Sequence, residues 1–78
     1  MIDTNVKTRG AMYHVISQLQ VKGIIGQDFA DNLKRDYNYG RIIGFGHMAE
    51  YLAAIGTIKH GEHNYHQIIN YGKRFGEN

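Results

Sequence analysis

The fold turns on how Ile42-Ile43-Gly44-Phe45-Gly46-His47-Met48-Ala49-Glu50-Tyr51-Leu52-Ala53-Ala54-Ile55 is read. Its first six residues suit a short strand, because Ile and Phe favour extended backbone. Residues 41–46 equally suit the start of a helix, because Phe45, Met48, Leu52 and Ile55 recur at the spacing of one helix face. The helical reading predicts a helix over 41–56, stopped by Gly56. Gly44 and Gly46 would then admit a close neighbouring helix, and Ile58 would pack in the connection. Helical spacing recurs elsewhere in the chain, so the all-α alternative is favoured.

Upstream, Met12, Val15, Ile16 and Leu19 sit at i, i+3, i+4 and i+7. They predict a helix over 5–22, with Asp3, Thr4 and Asn5 as N-cap candidates. Gly10 weakens its early turns by about 1 kcal/mol relative to Ala. Lys22 and Gly23 form a stop, a cation in the last turn before a glycine suited to the left-handed region. Phe29, Leu33 and Tyr37 predict a second helix over 27–37, with Asp28 in its first turn. Asn38-Tyr39-Gly40-Arg41 reads as a turn. Downstream, Tyr65, Ile68, Ile69 and Phe75 predict a helix over 62–75, closed by Lys73, Arg74 and the C′ candidate Gly76. No internal repeat is evident. Residues 1–78 read as a single small all-α domain of three to four short helices.

Residues 18–34 carry a pattern in which a helix end is followed by Lys22-Gly23-Ile24-Ile25, then Asp28-Phe29, then Leu33-Lys34. It is similar to the helical hairpin of SHOCT-type modules, where glycine, two aliphatics, an acid and Phe join two short helices. Gly26 stands where those modules usually carry Thr or Ser. The resemblance implies a helical hairpin here and no catalytic residue.

At 78 residues the chain holds one domain, and without cysteine it has neither disulfides nor thiolate zinc sites. A domain of this size buries only about 60% of its unfolded surface, so it needs further stabilisation. A homodimer is the expectation. The Met12/Val15/Ile16/Leu19 and Phe45/Met48/Leu52/Ile55 stripes are the candidate dimer or core faces.

Net charge is +2, with five basic and four acidic side chains in the first 36 residues and four and three in the rest. This interspersed charge gives no nucleic-acid or membrane footprint and argues against DNA mimicry. No window is apolar enough to span a bilayer, and the start lacks a signal-peptide pattern, so the expected location is cytoplasmic.

Five histidines raise the question of a metal. His60, His63 and His66 are spaced by three, whereas chelation from one helix prefers i, i+4. They stand as minor metal candidates, and no cofactor is expected. His14 and His47 adjoin apolar stripes, and His47 with Glu50 could pair a general base with its orienter. The only serine, Ser17, lies inside a helix, a poor place for a nucleophile, so an enzyme is not expected. Gly40, Gly44, Gly46 and Ala49 approximate a phosphate loop but lack the strand it requires.

Six tyrosines are more suggestive, because Tyr combines a large apolar body with a hydrogen-bonding tip and is enriched at interfaces. Tyr37, Tyr39, Arg41, Tyr51, Tyr65, Tyr71 and Arg74 are therefore the candidate partner-binding residues. In its cysteine-free, Asn/Tyr/Gly-rich composition the chain resembles small phage-encoded host-takeover or anti-defence proteins. That resemblance implies a non-enzymatic inhibitor that binds a host protein, such as a component of a restriction-like system. The alternative is a small nucleic-acid-binding regulator, with residues 41–48 in a helix-turn-helix. That recognition helix would offer only Arg41 and His47.

Overall fold

The computed structural model describes residues 2–74, with side chains from residue 8 onward. Four helices follow one another: α1 (Ile2–Val21), α2 (Gln27–Asn38), α3 (Phe45–Ala54) and α4 (His63–Arg74). No strand occurs among the described residues. Helix α1 packs on α2 and α3 on α4, so the chain is two helical hairpins closed over one core. The first hairpin spans the Gly23-Ile24-Ile25 turn, as its pattern implies.

The ends of α1, α2 and α3 share one turn. After α1 the Gly23 N–H donates to the Gln20 carbonyl and the Ile24 N–H to that of Leu19. After α2 the pairs are Gly40 to Tyr37 and Arg41 to Asp36; after α3 they are Gly56 to Ala53 and Thr57 to Leu52. This is the Schellman arrangement, which satisfies carbonyls that the last helical turn would otherwise leave open. It requires a left-handed residue at C′, and Gly40 and Gly56 both have φ of 81°. Two residues after each of these glycines an isoleucine turns inward: Ile25, Ile42 and Ile58 are all buried. The repeat absent from the plain reading of the sequence is therefore a repeated turn, Gly-x-Ile, that ends a helix and anchors the next connection in the core.

That turn explains where α3 begins. The predicted helix over 41–56 is corrected to Phe45–Ala54. Residues 41–44 are neither helix nor strand, because Ile42 serves as the turn's anchor and Gly44 is extended at φ 171°. Gly46 does face a neighbouring helix, with a Cβ built there lying 3.8 Å from Ile69 Cδ1 of α4. The N-cap candidates Asp3, Thr4 and Asn5 fall inside α1, which is already helical at Ile2. Helix α4 spans His63–Arg74 rather than 62–75; Glu62 precedes it, and the Glu62 carbonyl accepts from the His66 N–H at 3.0 Å. Phe75 and Gly76 lie outside the described residues.

The core draws on all four helices. Met12, Val15, Ile16 and Leu19 are buried from α1, Ala30 and Leu33 from α2, Phe45, Met48, Ala49 and Leu52 from α3, and Tyr65 and Ile68 from α4. Each large apolar side chain so buried stabilises the fold by about 1.5–3 kcal/mol. Ile55 is the one member of its stripe outside this core and is 49% exposed. At 100° per residue it sits about 70° from the middle of α3's buried arc. No helix among the described residues is long and apolar enough to cross a membrane.

Candidate functional site

The outer face of α3 is assembled by helix spacing and one backbone contact. His47, Tyr51 and Ile55 are four apart and lie along one side of the helix. At its start the Ile43 N–H donates to His47 Nδ1 at 3.1 Å. This bond ties the residue before the N-cap to the first turn of a helix whose N-cap, Gly44, makes no side-chain cap. The bond holds Ile43 at the end of the same face. Arg41, His47 and Tyr51 line a cleft of 240 Å³ with Asp36 and Ile42. Asp36 pairs with Arg41 at 3.4 Å, and the Arg41 guanidinium lies 5.9 Å from the centre of the Tyr39 ring.

This face collects exposed apolar surface. Among the described residues the large exposed hydrophobics are Val21, Tyr39, Ile43, Tyr51 and Ile55. Four of these five fall between residues 39 and 55, in the α2–α3 connection and along α3. Ile43, 80% exposed, is the most open of the four. Neither Ile43 nor Ile55 was among the partner-binding candidates, although both sit beside tyrosines that were.

The seven candidates do not form one site. Tyr39, Arg41 and Tyr51 are brought together on the α3 face. Tyr37 is half-buried and packs against the core. Tyr65 is corrected from surface to core, since its ring is buried between α3 and α4. Tyr71 is half-buried between His14, at 5.8 Å between ring centres, and Phe45, at 5.9 Å. The Arg74 guanidinium is 5.6 Å from the same ring.

Around Tyr65 lies a polar cluster that no spacing in the sequence foretells. The Tyr65 hydroxyl donates to Glu50 Oε2, and the His60 Nε2–H reaches the same oxygen at 3.2 Å. The His60 and Tyr65 rings are tilted against each other, 4.4 Å between centres. The bond from Tyr65 and the contact with His60 hold the Glu50 carboxyl below its ordinary value, against a smaller opposing effect of desolvation. The same bond, with burial, raises the Tyr65 hydroxyl. The cluster ties α3, the connection and α4 together. Glu50, His60 and Tyr65 line none of the clefts at the α1–α4 furrow, on α4 or beside Arg41, although the Tyr65 ring meets His66 of the α4 cleft edge-on at 5.6 Å between centres. With Glu50 taken up here and His47 bonded to Ile43, the general-base pairing of those two residues does not form.

The histidine triplet also disperses. His60 turns to Glu50, while His63 and His66 line a cleft on α4. Among the described residues no group of three or more His, Asp or Glu is placed to hold a metal ion. Comparison with protein-family models, with curated proteins and with solved structures gave no match.

Proposed function

We propose that this is a non-enzymatic interaction protein that binds and blocks another protein through the outer face of α3. The observation that carries the reading is the run of exposed Tyr39, Ile43, Tyr51 and Ile55 along the α2–α3 connection and α3, with Arg41 beside Tyr39 and sharing one cleft with Tyr51. Tyr and Arg are the residue types that dominate interface energetics, and apolar neighbours exclude water around them. The compositional resemblance to phage-encoded anti-defence proteins makes a host cytoplasmic protein the proposed partner. The connection between α2 and α3, residues 39–44, is longer than the three or four residues of a helix-turn-helix. The first turn of α3 spends Phe45 and Met48 on the core, which leaves little for a DNA groove.

The test places a benzoyl-phenylalanine photo-crosslinker at position 51 and irradiates the protein in host lysate. The expected result is one discrete protein adduct, which purified partner reproduces. Ile43→Asp should weaken that binding about thirtyfold, because it puts a charge in the middle of the contact. Adducts with nucleic acid alone, or a protein adduct indifferent to Ile43→Asp, would overturn the reading.

A further inference from the structure

A furrow runs between α1 and α4. His14 and Gln18 of α1, with Lys22 just past its end, are four apart and form one wall, while Gln67 and Tyr71 form the other from α4. Two contacts cross the furrow. Lys22 Nζ donates to Gln67 Oε1 at 2.7 Å, and His14 stacks on Tyr71. Between them is a slot of 230 Å³ with Val15, Leu19 and Ile68 beneath it. That is smaller than the roughly 300–1,000 Å³ of pockets that take whole small molecules, and it suits a single large side chain. Gln67 and Tyr71 also line the adjoining cleft of 340 Å³, together with His63, His66, Asn70 and Arg74. Neither lining contains an Asp or Glu. Lys22 in one lining and Arg74 in the other are the lysine and arginine of the two clefts, so the walls present positive charge at both ends of the trough.

We propose that this furrow binds an acidic segment of a partner protein, with one aliphatic or aromatic side chain of that segment seated in the slot. The apolar base takes the anchor. Lys22 and Arg74 face the carboxylates, and Gln18, Gln67 and Asn70 supply amide groups that both donate to and accept from a peptide backbone. A single nucleic-acid strand fits less well. Sequence-tolerant strand binding needs open aromatic faces on which bases stack. The Tyr71 ring is instead packed among His14, Phe45 and Arg74. The furrow shares no lining residue with the α3 face, so the two proposals stand or fall separately.

The probe is a fluorescein-labelled eight-residue peptide with Glu or Asp at its outer positions and Leu-Phe at its centre, followed by fluorescence anisotropy. Saturable binding is expected, weakened about tenfold by Lys22→Glu and by Arg74→Glu, the loss of one charge-assisted contact in each case. Gln18→Trp should fill the slot and weaken binding similarly, and so should a peptide with Ser-Ser at its centre. Helix content by circular dichroism checks that each variant remains folded. Ile43→Asp should bind the peptide unchanged, which separates a failure here from a failure at the α3 face. No saturable binding, binding indifferent to Lys22→Glu and Gln18→Trp, or tighter binding of an eight-nucleotide oligothymidylate than of the peptide would each overturn the proposal.

Discussion

At the scale of single residues, Glu50 and Tyr65 make the most specific prediction. Tyr65 spends its ring on the core and its hydroxyl on a surface carboxylate, which is why its place in an apolar stripe was the better guide than its residue type. Glu50 is held below its ordinary value of 4.5 in the folded chain. A depressed carboxyl contributes stability above its unfolded value and loses it as pH falls through the folded one. Tyr65 is raised above its ordinary 10.0, so its contribution is complete below that value and is lost as pH rises through the folded one. The bond should therefore stabilise the fold across the window between the two. Glu50→Gln and Tyr65→Phe should each lower Tm relative to the wild type near neutral pH, and the gap should narrow below 4.5 and again above 10.0. A gap that stayed constant across the acid limb, in melts followed by circular dichroism, would mean that the contact does not depend on the carboxylate. The double variant should lose little more than either single one, because both remove the same bond.

At the scale of elements, glycine position decides the sign of a substitution. Gly56 lies at φ 81°, and a Cβ there would meet no atom within 4 Å. Gly56→Ala should therefore cost only the backbone penalty of the left-handed region, about 1–2 kcal/mol. Gly10 lies inside α1, again with nothing within 4 Å. Gly10→Ala should stabilise by about 0.8–1 kcal/mol through helix propensity alone. Thermal melts of the two variants should move in opposite directions, by several degrees each for a domain of this size. Helix ends were the most legible part of the sequence for the same reason, since Gly23, Gly40 and Gly56 each mark a stop. Helix starts were less legible. Neither Gly26 nor Gly44 makes a side-chain cap. The periodic run from Phe45 could thus be extended backward through Ile42 and Ile43, although Ile42 belongs to the turn. The repeated Gly-x-Ile was the available signal, and it lies across the helix boundaries where a search for periodicity within helices does not look. The α3 face was legible in Tyr39, Arg41 and Tyr51. Ile43 was not, because the periodic run placed it inside a helix that begins only at Phe45, and Ile55 was legible only as part of a core or dimer stripe.

At the scale of the whole molecule, the small size of the chain is partly answered from within. A compact domain of 78 residues should have a radius of gyration of about 11.5 Å, and the observed value is 11.6 Å. Both stripes offered as dimer faces are used inside one copy, from Met12 through Leu52, with only Ile55 left outside. A homodimer, which the limited core of so short a chain still recommends, is then expected to use the exposed surface between Tyr39 and Ile55. That surface is also the proposed partner site, so self-association and partner capture should compete. Light scattering on the purified chain is expected to give twice 8.9 kDa at high concentration, falling toward 8.9 kDa on dilution. Ile43→Asp should remain at the monomer mass at every concentration with its helix content unchanged, while Lys22→Glu should still dimerise because the furrow lies elsewhere. Saturating partner should convert the dimer to a one-to-one complex. A wild-type mass of one copy throughout would leave the core and its three capped turns as sufficient stabilisation. A dimer indifferent to Ile43→Asp would place the contact on another face and free the α3 surface for the partner alone.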